Sequence, residues 1–393
     1  MFKMTRRTQR SPWKILLLTC LFMLVFALVF QSIPPLVGFL TASLGISHAQ
    51  AGALMSLFGL PGIFISIPGG ILADLYGSKR IGIIALVITS LGSLAAALSG
   101  GFPIMALGRI IAGIGALTIA IVAPQILSQR FPPQDLGKAM GVFNSVMPLG
   151  TILTLNTFGL LAGSWGWRAP LYLATAYSVL ILLVFAFKFP EIPSEEKQEK
   201  PDFKAGFLYL RKVKKGVWLT GGIWMMYNAG AIAFLSFAGD YYQNFYSPAY
   251  AGFLASLLMI GALILSPAVG WFTDHCGREE ELIILGGLGL AVLFFLVPRT
   301  ELNPLFLGIL IGICAPLIPA PVFSLLPNFL PPERLGLGYG ILSTLLNLGV
   351  LAGPFLVGLF YDLFSSYQPG FNLMSLFLVG TALLAWRLRQ ARA

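Results

Sequence analysis

Long apolar runs separated by short polar punctuation dominate this chain. Ile15–Phe30 and Leu173–Phe187 are nearly unbroken examples. A helix needs roughly 20 apolar residues to cross a bilayer core about 30 Å thick. Turn residues and charges cut the sequence into twelve such pieces. They are expected at 14–39, 49–73, 81–100, 103–128, 137–162, 168–189, 217–240, 249–273, 281–298, 303–329, 336–361 and 370–388. A membrane barrel would show short alternating segments instead. Continuous runs predict helices, which pair their own backbone groups inside lipid.

Composition sharpens this picture. Hydrophobic residues make up 57% and charged residues only 10%, whereas a soluble domain carries about 25% charged residues. The net charge of +10 matters through its distribution, and it is not read as a nucleic-acid footprint. Lys and Arg favour the cytoplasmic side. If the N-terminus is inside, every second loop is inside, and those segments hold all 25 basic residues except Arg109, Arg168 and Arg299. The expectation is a multi-pass protein of the cell's inner (plasma) membrane, with both termini cytoplasmic. The first apolar run is long, contains Pro34-Pro35 and precedes many more spans, so it is not read as a cleaved signal. Cys20, Cys276 and Cys314 are too scattered for a disulfide framework.

One long polar stretch, Pro190–Gly216, separates two sets of six spans. The expected organisation is an N-terminal bundle (1–189), a cytoplasmic linker (190–216) and a C-terminal bundle (217–393). The halves echo one another at an offset of about 200 residues. Phe131-Pro132-Pro133-Gln134-Asp135-Leu136-Gly137 is answered by Leu330-Pro331-Pro332-Glu333-Arg334-Leu335-Gly336. Gly70-Ile71-Leu72-Ala73-Asp74-Leu75-Tyr76-Gly77 is answered by Gly270-Trp271-Phe272-Thr273-Asp274-His275-Cys276-Gly277. Both copies start on the same side, so the repeat is parallel. Such repeats suit a transporter with its site between the halves.

The stretch Gly70–Arg80 resembles the loop signature of the major facilitator superfamily, G-x-L-a-D-r-x-G-r-k/r, between spans two and three. A weaker copy ends in Gly277-Arg278. Leu107-Gly108-Arg109-Ile110-Ile111-Ala112-Gly113-Ile114-Gly115 resembles that family's arginine-bearing motif in span four, with Ala112 where Gln is usual. The resemblance implies an all-α membrane fold of two pseudo-symmetric six-helix bundles and transport by alternating access. It also implies that Asp74 sits near the start of span eleven and Asp274 near the start of span five. A helix N-terminus carries unpaired N–H groups and partial positive charge. A carboxylate there stabilises by about 0.3–1 kcal/mol, or up to about 2 when partly buried. These two acids are therefore expected to latch the inner side; the alternative is that they are solvated loop carboxylates. Gly77 and Gly277 are expected to turn with positive φ. Arg80 and Arg278 join the gating set, or serve only the positive-inside rule.

Arg109 is the only charge well inside an expected span. It is a candidate for binding an anionic solute or organising a proton step; alternatively, backbone carbonyls satisfy it. The polar candidates for the cavity are Gln31, Gln125, Asn144, Thr151, Trp224, Tyr227, Asn228, Ser324 and Asn347. Each is also a candidate for ordinary interhelical hydrogen bonding. Pro316, Pro319 and Pro321 should break or kink span ten.

No carboxylate falls near the middle of any expected span; Asp240 and Asp362 fall at outer ends. The family's antiporter pattern in span five, G-x8-G-x3-G-P-x2-G-G, is degraded to Thr154-Leu155 at its Gly-Pro positions. These features count against efflux of cationic drugs. They point to a small organic anion or neutral metabolite, with a coupling proton or ion left open. Efflux of apolar or amphiphilic compounds is the second reading, and a non-transporting receptor or scaffold the third. An enzyme is not expected: there is no nucleotide loop, no metal-ligand cluster and no cofactor signature. The partners expected are a small-molecule substrate and the lipid bilayer, with no nucleic acid, for a monomer. His48 and His275 are the only histidines, and His48 is read as a surface residue of the loop before span two, with a pH role as the alternative. Asp74→Asn should shift cysteine accessibility toward the inward-open state; an unshifted pattern would remove the latch.

Overall fold

The computed structural model describes residues 12–65, 76–189, 213–330 and 335–392. Among the described residues, fifteen α-helices and three short 3-10 turns build the transmembrane spans. Eleven described segments are long and apolar enough to cross a bilayer. Glu279–Leu296 completes the twelve: three glutamates open it, and the apolar run follows.

The N-terminal bundle begins with α1 (Pro12–Phe30) and α2 (Val37–Leu44), the two parts of span one. Span two starts as α3 (His48–Gly59). Spans three and four are α4 (Ser78–Leu98) and α5 (Phe102–Arg130). Span five divides into α6 (Pro133–Asn144) and α7 (Val146–Trp165), and span six is α8 (Arg168–Lys188). The C-terminal bundle holds α9 (Lys215–Gln243), α10 (Pro248–Cys276) and α11 (Glu279–Leu296). Span ten divides into α12 (Pro304–Cys314) and α13 (Pro319–Leu325). Finally come α14 (Leu335–Phe364) and α15 (Tyr367–Arg392). Most of the stretch expected as a linker lies outside the described residues.

Prolines explain the breaks. Pro34 and Pro35 have no N–H to return to Phe30 and Gln31, so α1 ends at Phe30 and a 3-10 turn follows. Pro148 likewise cannot bond Asn144, and span five breaks at Ser145. Pro316 and Pro319 divide span ten through a 3-10 turn at Ala315–Leu317. The expected turns hold: Gly77 has φ 86° and Gly277 has φ 56°.

Apolar side chains such as Leu98, Leu183, Phe187, Ile264 and Leu376 are exposed around the outside, as lipid-facing positions require. Between the bundles the contacts are close. Helix α3 runs antiparallel to α14, and a Cβ at Gly52 would collide with the Pro354 carbonyl. Helix α7 meets α10, and a Cβ at Gly252 would collide with the Leu155 carbonyl. The two crossings are related by the internal repeat: Gly52 corresponds to Gly252, and Leu155 to Pro354. Small residues let helix backbones approach where lipid offers no hydrophobic drive. Ser56 Oγ donates to the Val350 carbonyl (3.3 Å) in one seam, and Asn156 Nδ2 to Ser256 Oγ (3.0 Å) in the other.

Both seams lie in the half of the molecule away from the end that carries Lys138, Arg278 and Arg392, the basic end. Toward the basic end spans five and eight diverge. Val142 is exposed, and Gly141 and Gly270 face open space. Gly52→Val and Gly252→Val should each wedge one seam. A cysteine at Ser256 should then react faster with a membrane-impermeant thiol reagent, and unchanged reactivity in both variants would contradict the two-seam description.

Candidate functional site

Helix α5 carries Arg109 into the N-terminal bundle at the level where α1 ends. Its side chain is 1% exposed. Nη2 donates to the Phe30 carbonyl (3.0 Å), Nη1 to the Val29 carbonyl (2.6 Å) and to Ser32 Oγ (3.3 Å), and Nε to the Leu54 carbonyl (3.0 Å). The Phe58 ring lies 4.4 Å from the guanidinium carbon. The Phe30 carbonyl is the acceptor that Pro34 orphaned. An unsatisfied buried carbonyl costs about 1–3 kcal/mol, so the arginine supplies the donor that the chain lacks there. Among the described residues no other charged side chain lies in mid-span.

Gln31 follows immediately. It is fully buried, and neither Nε2 nor Oε1 has a hydrogen-bond partner. Buried amides are normally paired, so this one retains its full capacity to donate and accept. Across the interface, Trp224 and Tyr227 of α9 stack at 5.5 Å, and the Phe323 ring of α13 meets Trp224 edge-on at 5.2 Å. Tyr227 Oη donates to the Ala315 carbonyl (3.4 Å) at the break in span ten.

The other sequence candidates are placed as follows. Thr151 is buried and bonds its own helix at Met147. Asn228 bonds Trp224, and Ser324 bonds Ala320, again within their helices. Asn347 is buried, donates to Ser343, and its amide abuts Gly62 of the other bundle. Gln125 is half-buried in α5, and Asn144 is exposed at the end of α6. Asp74 lies outside the described residues, as does the side chain of Asp274. Arg80 is exposed, and Arg278 forms an exposed ion pair with Glu281 (3.8 Å). The structure therefore groups Trp224, Tyr227 and the segment beside Ser324.

A second polar constellation closes the end opposite the basic one. Helix α3 starts with Ser47 as N-cap: Ser47 Oγ accepts from the Gln50 N–H, and Gln50 Oε1 accepts from the Ser47 N–H. The next two orphan donors go to the other bundle. The His48 N–H donates to Asp362 Oδ1 (2.9 Å) and the Ala49 N–H to Asp362 Oδ2 (2.8 Å). The His48 ring lies between acids, with Nε2 3.3 Å from Asp240 Oδ2 and Nδ1 3.7 Å from Asp362 Oδ1. Tyr367 Oη donates to Asp240, and the Tyr361 ring packs on the imidazole at 3.8 Å. His48 is thus no surface residue: it is mostly buried, and its partners come from three helices of the opposite bundle. The readable signal was two acids at helix ends on a side almost free of Lys and Arg.

The fold agrees with comparison to known proteins. The sequence profile of the Major Facilitator Superfamily matches residues 15–250 and 219–393. The chain belongs to that superfamily, and it is a multi-pass membrane solute transporter. It is 25% identical to the 3-(3-hydroxy-phenyl)propionate transporter of Escherichia coli (strain K12), over 90% of this chain and 89% of the relative. The probable sulfoacetate transporter SauU of Cupriavidus necator is 24% identical, over 87% of this chain and 85% of the relative. Among solved structures, a nucleoside transporter, NupG, superposes with a TM-score of 0.78 at 18% identity, covering 96% of this chain and 99% of that one. A bacterial homologue of the lysosomal transporter Spinster, inward-facing and unoccupied, gives 0.79 at 17% identity with 98% of each chain covered.

Arg109→Ala should lower the melting temperature of the purified protein by several degrees, whether or not a solute is present. A normal melting temperature combined with a lost solute response would contradict the carbonyl-capping role.

Proposed function

We propose that the protein moves a small neutral polar solute by alternating access, and that the seams between bundles are its outer gate. The observation that carries the choice of solute is the state of Arg109. Its N–H groups are committed to backbone carbonyls, so the one mid-span cation is not on offer to an anion. Gln31 offers an amide with both functions unspent. The stacked Trp224 and Tyr227 offer an aromatic face to a planar or ring-shaped solute. In this reading the basic end is cytoplasmic, both termini lie there, and the structure is inward-facing. Asp74 and Asp274 then close that end in the other state, each against a helix start of the opposite bundle.

Organic-anion transport is the second reading, favoured by the two relatives whose names specify a carboxylate and a sulfonate. Proteoliposomes loaded in parallel with nucleosides, pentoses, small organic acids and an amphiphilic dye separate the readings. Uptake or exchange is expected for a neutral solute, and Gln31→Leu should reduce it at least tenfold while the protein melts normally. Flux of only organic acids, abolished by Arg109→Gln, would overturn the neutral-solute reading.

A further inference from the structure

We propose that His48, Asp240 and Asp362 form a proton-binding latch, in which one proton on the His48 imidazole holds the two bundles together at the end opposite the basic one. The chemistry starts from donor supply. A neutral imidazole has one N–H and one lone pair. Here two carboxylates flank the ring, Asp240 at Nε2 and Asp362 at Nδ1, 3.3 and 3.7 Å away. Whichever nitrogen carries the single hydrogen, the other turns a lone pair toward a carboxylate oxygen. Protonation gives both nitrogens a hydrogen, and the cation then faces two anions.

Among the described residues no cation competes for these acids. Tyr361 and Tyr367 are the remaining titratable groups against the ring, and Tyr367 Oη is already donating to Asp240. Arg168 and Arg299, the basic residues of this end, are held elsewhere, by the Ser99 carbonyl and by Asn372. On the C-terminal side the carboxylates come from two different helices, α9 and α14. The imidazole and the α3 N-terminus are what bring them to the N-terminal bundle. Asp240 also rests over Gly38 of α2, where a Cβ would lie 2.7 Å from its Oδ1. Parting the seams must therefore separate the ring from both acids at once. Protonation favours closure, because the cation then sits between carboxylates on two helices of the opposite bundle. Raising the pH of the solution at this end loosens the latch, and moderate acidification tightens it. The proton comes from that solution and returns to it on opening.

The inference concerns which state the bundles occupy, so its test reads the seam rather than flux. Hydrogen exchange of the full-length protein in lipid nanodiscs reports it, because the His48 and Ala49 amides are bonded only to Asp362. Corrected for intrinsic exchange, their protection should rise at least about fivefold from pH 8 to pH 6, the lower range of a typical coupling. His48→Gln keeps a donor for Asp240 but cannot be protonated, and should abolish that slope. Asp362→Asn keeps an acceptor for the α3 amides but removes a charge, and should reduce it. Unchanged protection within α5 checks that both variants remain folded. A flat wild-type profile, or an equal slope in His48→Gln, would overturn the latch. Failure of every solute in flux assays would bear on the transport reading alone.

Discussion

The closed end of this protein depends on one arrangement: a carboxylate from one bundle set against the first turn of a helix in the other. Asp362 accepts the His48 and Ala49 N–H groups, which otherwise have no partner. Such a contact, at an exposed helix start, favours closure by about 0.3–1 kcal/mol. That is enough to bias a two-state equilibrium and small enough to be broken in each cycle. The glycine crossings supply the fit beneath it. Gly52 against Pro354 and Gly252 against Leu155 bring backbone to backbone, so the seam has little side-chain give. Packed interfaces of this kind tend to have discrete arrangements rather than a continuum.

Inside the N-terminal bundle the same accounting applies to a static feature. The Pro34 break lets span one bend, but it orphans the Phe30 carbonyl. Arg109 repairs that loss from another helix and is buried in doing so. A charge in mid-membrane is costly, and here the cost is offset by four acceptors and an aromatic face. The bend and the arginine are therefore one device. The unpaired Gln31 amide sits beside it because the chain there is neither α1 nor α2.

Much of this was legible in the sequence. Apolar runs and the sidedness of basic residues defined twelve spans, and the echo of Gly70–Gly77 at Gly270–Gly277 defined the repeat. Proline positions located the break in span ten, and the repeat placed positive φ at Gly77 and Gly277. At the end opposite the basic one, the two acids at helix ends were a readable signal, but their pairing with His48 was not. It draws residues 48, 240, 362 and 367 from four helices, and no local pattern pairs positions some 200–300 apart without a three-dimensional register. His48 looked like a loop residue because its neighbours in sequence, Ser47 and Gln50, are polar. For Arg109 the carbonyl-bound state was one of two readings, and the choice between them was not legible, since carbonyl partners leave no mark in side-chain pattern.

The account stands or falls on the two ends of the molecule moving in opposition. Spin labels at Ser43 and Glu301 span the far end, and labels at Lys138 and Arg278 span the basic end, with the native cysteines replaced. Distance distributions for both pairs in nanodiscs should change reciprocally, the first lengthening as the second shortens when conditions favour outward opening. Both distances widening together, or neither moving under any condition, would contradict it.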